Sequence, residues 1–273
     1  PTVSRRGLGL WTVAGLATAT AARAQAKVVE TDVSVKTPDG TCDAAFFHPE
    51  GKGAWPAVLV WPDIMGLRPV FREMGRRLAG QGYAVLVVNP FYRSKKAPVM
   101  PGEINFSDPA TRATLMGYRG AMTNEGIDKD AVAYLGWLDA QPQVAKKKKA
   151  GVQGYCMGGP LSFRTAAAVP GRIGAVGSFH GGGLVTKDAS SPHLLIPKTN
   201  AAYLVAVAQN DDARAPADKD TLKQAFADAR KTATVEVYPA DHGWCVPGSA
   251  VYNQAAAEKA WSELSKLYKS ALV

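Results

Sequence analysis

The sequence predicts an α/β protein: one domain built on a mostly parallel sheet with helices on both faces. Three observations carry this. Short apolar runs such as "YAVLVVNP" alternate along the chain with stretches of helical spacing. Those runs are continuously apolar rather than alternating, as strands buried on both faces are. No linker, internal repeat or low-complexity block interrupts the pattern, so residues 27–273 read as a single domain.

Each element follows from its own residues. "VVETDVSVKT" alternates and is β-branched, "CDAAFFHP" follows the turn "PDG", and "WPAVLVWP" is a compact apolar run, giving three strands. "RPVFREMGRRLAGQGY" places Val70, Phe71, Met74 and Leu78 at helical spacing, with Gly80 and Gly82 as stop signals. "YAVLVVNP" is a strand, "DKDAVAYLGWLDAQ" a helix, "AGVQGYC" a strand and "MGGPLSFRTAAAV" a helix. "IGAVGSFHG" and "AAYLVAVAQ" are strands, and "ADKDTLKQAFADARK" is a helix. "ATVEVYP" closes the strands and "VYNQAAAEKAWSELSKLYKSAL" is a terminal helix. Residues 93–126 carry the weakest pattern and read as an insertion after a strand's carboxyl end, where ligand-contacting loops sit.

Composition narrows the function classes. The chain has 273 residues, 47% hydrophobic and 20% charged, which is ordinary for a globular domain and excludes a mainly disordered one. The formal net charge is +9, but Arg5, Arg6 and Arg23 lie in a removable segment. Lys146 to Lys149 has no interleaved aromatics and no accompanying motif, so it reads as a solvated loop and no nucleic-acid partner is expected. Residues 1–26, "PTVSRRGLGLWTVAGLATATAARAQA", have paired arginines, a short apolar stretch and small-x-small cleavage patterns. They read as a twin-arginine-like export signal, with a periplasmic protein after its removal and no stable membrane span. Of the three cysteines, Cys42 and Cys245 are the pair whose bonding would leave Cys156 free.

The chemistry gathers around "GVQGYCMGGP". A nucleophile on a sharp strand-to-helix turn leaves no room for side chains two residues before and after it, and here Gly154 and Gly158 flank Cys156 in a G-x-C-x-G version of the nucleophile elbow. The helix that follows favours thiolate over thiol through its dipole, and its first free amide, that of Met157, can stabilise an oxyanion. Downstream, "QNDDARAP" follows a strand with Asp211 and Asp212, and "ADHGW" follows the next strand with His242. The order nucleophile, acid, histidine, all at one sheet edge, is that of a catalytic triad. Either aspartate can supply the acid. His180 in "GSFHGGG" also follows a strand, as a substrate contact or competing base, whereas His48 and His193 read as turn or surface residues. No metal-ligand spacing or phosphate-binding glycine loop is present, so neither metal nor cofactor is expected.

The segments "VLVWPDIMGLRPVFREMGRRLAGQGYAVLVVNPFYR", "GVQGYCMGG", "AQNDDARAP" and "ADHGW" resemble those of the dienelactone hydrolase family, cysteine-dependent members of the α/β-hydrolase fold. The resemblance runs from about Lys27 to the C-terminus. It implies cofactor-free hydrolysis of a small-molecule ester or lactone through a thioester, with Cys156 as nucleophile, His242 as base and Asp211 as orienting acid. It also puts the Ile64 amide in the oxyanion hole. Asp63 falls where the family has a glutamate near the thiol, and Arg93 where an arginine meets the substrate carboxylate. A second such arginine, expected just after His242, is missing from "HGWCVPGS". Two other readings share the same residues: a thiol redox or ligand-binding protein without hydrolytic activity, and a hydrolase of other esters.

Overall fold

The computed structural model describes residues 27–273, and the export segment predicted for residues 1–26 lies outside them. Eight strands form one sheet: β1 Val28–Thr37, β2 Gly40–Pro49, β3 Ala57–Trp61, β4 Ala84–Val88, β5 Ala150–Tyr155, β6 Ile173–Phe179, β7 Ala202–Ala208 and β8 Ala233–Tyr238. Their order across the sheet is β1-β2-β4-β3-β5-β6-β7-β8. β1 and β2 form a hairpin through the tight turn at Gly40, whose φ of +145° suits glycine. β2 runs antiparallel to β4, and every pairing from β4 to β8 is parallel. The sheet is therefore mostly parallel, in the α/β-hydrolase arrangement.

The continuous apolar runs have the predicted consequence. Every residue of β3, β4, β5 and β6 is buried, with helices packed on both sides. One face is covered by α1 Pro69–Gly80 and α7 Gln254–Ala271, which bring Phe71, Met74, Trp261 and Leu264 onto the sheet. The other is covered by α3 Asn124–Asp139, α4 Gly158–Ala168 and α6 Asp218–Asp228, with Ile127, Tyr134, Leu161, Phe163 and Phe226. Burying one such side chain stabilises by roughly 1.5–3 kcal/mol.

The remaining helices differ from the sequence reading. The insertion contains α2 Pro109–Gly120, and the segment after β7 forms α5 Gln209–Arg214 rather than an open loop. A 3-10 helix, Pro192–Lys198, follows β6. His48 is not a surface residue: it is buried on β2 and stacks on Trp55 with ring centroids 5.8 Å apart. Cys42 and Cys245 are unpaired and lie in the cores on opposite faces of the sheet, which excludes a bond between them. The lysines from 146 to 149 form an exposed loop, as expected. Among the described residues, no helix is long and apolar enough to cross a membrane.

Because β3 to β8 are parallel, their carboxyl ends share one edge. The loops after β3, β5, β6, β7 and β8 all leave from it, and they carry the residues singled out above.

Candidate active site

The turn after β5 is as tight as the glycine spacing demands. Cys156 has a φ of +52°, in the left-handed region that side chains rarely adopt. Its amide donates to the Phe179 carbonyl at 3.0 Å and its carbonyl accepts from the Gly159 amide at 3.0 Å, so both ends of the strained residue are held. A Cβ on Gly154 would stand 1.8 Å from the Gly158 carbonyl oxygen, and one on Gly158 would stand 2.4 Å from that of Trp61. The thiol is half-buried, at the head of α4.

The Met157 and Ile64 amides flank this turn. Among the described residues neither donates a hydrogen bond. Ile64 lies on the loop after β3, which presses against the elbow closely enough for the Trp61 and Pro62 carbonyls to exclude any side chain at position 158.

The acid and histidine arrive from β7 and β8. Asp211, on α5, accepts a hydrogen bond from His242 Nδ1 at 2.5 Å. Asp212 pairs instead with Lys219 at 2.8 Å. The loop bearing His242 is pinned from the same helix, because Asn210 Oδ1 accepts the His242 backbone amide at 2.9 Å. Asn210 was not singled out in the sequence; its role depends on α5, which is too short to show helical periodicity. Burial opposes a charge on His242, but the Asp211 carboxylate and the neighbouring Cys156 sulfur outweigh it and push the imidazole pKa up to about 10. A histidine held in this way is protonated at neutral pH.

Three other expected residues occupy different places. His180 is only 1% exposed, so it cannot contact a substrate in this conformation. Its φ is +39°, its ring meets that of His242 edge-on with centroids 4.8 Å apart, and neither ring nitrogen has a partner among the described residues. Burial, and then the His242 charge, hold its pKa well below the ordinary value, which keeps it neutral and argues against its being the base.

Arg93 does not present a free guanidinium. It donates to Asp130 through Nη1 at 2.7 Å and Nη2 at 2.9 Å, to Asp39 through Nη2 at 2.7 Å, and to the Gly126 carbonyl. Asp130 is almost fully buried, so taking Arg93 away would strand a charge, and a substrate carboxylate cannot compete for it cheaply. The expected role for Arg93 is thereby corrected to a structural ion pair.

Asp63 is buried and turned into its own loop. Oδ1 accepts from the Met65 amide at 2.9 Å, and both oxygens accept from Arg68, at 2.6 Å and 2.8 Å. Among the described residues, no group of His, Cys, Asp and Glu is arranged to hold a metal ion.

These features coincide with what the chain is similar to. The family model described as "Dienelactone hydrolase family" matches residues 42–272. A Synechocystis protein named carboxymethylenebutenolidase is 25% identical over 244 residues, covering 82% of this chain and 90% of its own length. An Escherichia coli protein of the same name is 26% identical over 257 residues, covering 86% and 90%. Among solved structures, a Klebsiella pneumoniae protein described as a dienelactone hydrolase superposes with a TM-score of 0.77 at 22% identity, over 89% of this chain and 99% of that one. A dienelactone hydrolase-like promiscuous phosphotriesterase, P91, from metagenomic libraries superposes with a TM-score of 0.74 at 24% identity, over 90% and 99%. On a family match spanning most of its length, the chain belongs to the dienelactone hydrolase family and is a hydrolase of that type.

Proposed function

We propose that the protein cleaves a carboxylic ester or lactone through a Cys156–His242–Asp211 triad and a thioester intermediate. The observation that carries this reading is the 2.5 Å Asp211–His242 hydrogen bond at the sheet edge where the strained elbow turns Cys156 outward. His242, oriented by Asp211, holds the proton of Cys156. The thiolate attacks the carbonyl carbon, the carbon–sulfur bond forms, and the displaced electron pair moves to oxygen, where the Ile64 and Met157 amides stabilise it. As the tetrahedral species collapses, the carbon–oxygen bond breaks and the imidazolium gives its proton to the leaving alkoxide or enolate. His242 then takes a proton from water, the resulting hydroxide attacks the thioester, and the thiolate departs.

A thiolate is itself a good leaving group, so amides are poor substrates and activated or cyclic esters are the best ones. The engagement of Arg93 supports a substrate that needs no carboxylate contact at that position. The same proposal includes export directed by residues 1–26, which N-terminal sequencing of the protein from a periplasmic fraction would test.

The central test incubates the protein with a panel of small enol-lactones and aryl esters. Intact-mass and peptide analysis is expected to find an acyl adduct on Cys156. The Cys156→Ala and His242→Ala proteins are expected to lose turnover by at least ~100-fold. Full turnover in either folded variant rules the triad out. A thiol redox protein would instead oxidise at Cys156 and form no acyl adduct.

A further inference from the structure

We propose that the Asp63–Arg68 ion pair is a positioning device for the oxyanion hole, holding the loop so that the Ile64 amide faces the substrate oxygen, and that Asp63 does not activate the thiol. The inference rests on the reading of Cys156 as nucleophile and of Ile64 as an oxyanion donor.

The loop after β3 is short, and the two amides that follow Ile64 are both bonded to Asp63. The Met65 amide donates to Asp63 Oδ1 at 2.9 Å, and the Gly66 amide donates to the Asp63 carbonyl at 2.9 Å. Both bonds turn the chain back on Asp63, with Gly66 at a φ of +72° completing the reversal. Ile64 lies between Asp63 and the anchored Met65, and among the described residues its amide makes no hydrogen bond. An Asp side chain can close such a turn because it is one methylene long. A glutamate carboxylate would overshoot the Met65 amide.

The Asp63 carboxylate is itself held. Arg68 grips both oxygens with two parallel bonds of 2.6 Å and 2.8 Å, and also donates to the Gly66 carbonyl at 3.3 Å. Its guanidinium lies over the Phe71 ring at 4.9 Å, which ties the clamp to the start of α1. Arg68 stands immediately before Pro69, the first residue of that helix, so the loop is bounded by β3 on one side and by a fixed helix on the other. From above, Val99 of the insertion packs against Gly66, where an added Cβ would stand 3.2 Å away. Three of the acceptor positions of this carboxylate are taken within its own loop, and every bond it makes reduces the freedom of the peptide carrying the Ile64 amide.

The two roles give different signatures. Alkylation of Cys156 by iodoacetamide needs a thiolate but no oxyanion donor, whereas ester turnover needs both. With the clamp, Asp63→Ala lowers kcat for an aryl ester by ~100-fold, the cost of losing one oxyanion donor, while the alkylation rate stays within about 2-fold of wild type. Asp63→Asn keeps the Met65 acceptor but breaks the double bond to Arg68, and it is expected to fall between the two. Arg68→Met, which leaves Asp63 in place, is expected to lower kcat by ~10-fold with unchanged alkylation. Hydrogen exchange at the Met65 and Gly66 amides is expected to quicken in all three variants.

Alkylation that falls in step with turnover in Asp63→Ala would overturn the proposal in favour of thiol activation. Unchanged turnover in folded Asp63→Asn and Arg68→Met, or unchanged exchange in the loop, would overturn it too. Failure of the triad is read separately, by absence of a Cys156 adduct in the wild-type protein. In that case exchange and turnover in the variants still decide whether the clamp serves catalysis, since any nucleophile attacking a carbonyl needs the oxyanion donor.

Discussion

A neutral imidazole lies against His242 with both of its nitrogens unpartnered, and burying it is expensive. Each unsatisfied polar atom in a protein interior costs about 1–3 kcal/mol, so replacing the His180 ring by an apolar one of similar shape recovers part of that. The left-handed backbone at this position offsets some of the gain, because histidine tolerates it better than phenylalanine does. His180→Phe is therefore expected to be more stable than wild type by about 1 kcal/mol in urea denaturation at neutral pH. Burial holds the folded pKa of His180 below its ordinary value of 6.5, so the unfolded chain binds the extra proton. The native state thus loses stability as pH falls below 6.5, and the advantage of His180→Phe grows in that direction. At this scale the sequence was legible where placement follows from local pattern: Cys156 on its strained turn, and His242 in the loop after β8. It was not legible where a side chain's partners come from distant elements. Asp211 and Asp212 are neighbours of identical chemistry, and only the helical turn of α5 sends one to His242 and the other to Lys219. His180 was read as a pocket residue because it ends a strand at the right edge, yet the loop bearing His242 and Trp244 folds over it.

The elements that could be read in advance are those whose burial leaves a period in the sequence. β3 to β6 and helices α1, α3, α4, α6 and α7 all bury a stripe or a whole strand. α2 buries only Leu115 and so lacks a stripe, although Asp108 caps it by accepting the Thr111 amide and Pro109 opens it. α5 has six residues, too few for any period to appear. The elbow is the opposite case, since local backbone geometry alone explains its glycines. Gly154→Ala would drive a methyl into the Gly158 backbone, where no flexible side chain can yield. We expect a loss above about 4 kcal/mol, seen as insoluble protein or a collapsed thermal transition, whereas Gly136→Ala on α3, where nothing lies near, should fold normally.

Across the whole molecule, the parallel order of β3 to β8 separates scaffold from chemistry: the cores lie against the faces and the reactive groups along one edge. The three thiols divide accordingly. Cys42 and Cys245 are buried in opposite faces and burial raises the pKa of each, Cys42 to about 12. Native protein is expected to release one equivalent of thionitrobenzoate from Ellman's reagent and unfolded protein three, with thermal stability unaffected by reductant; a second fast native thiol would contradict this. Arg93 shows how this layout redirects a residue. Joined to Asp130 of α3 on one side and to Asp39 in the hairpin turn on the other, it works as a rivet between the antiparallel margin and the helical layer. Drawing that rivet, as in Arg93→Ala, strands the buried Asp130 charge at a cost of about 3–5 kcal/mol. The damage would surface as peeling of the first two strands and proteolytic nicking near Gly40, with discrimination among esters left as it was.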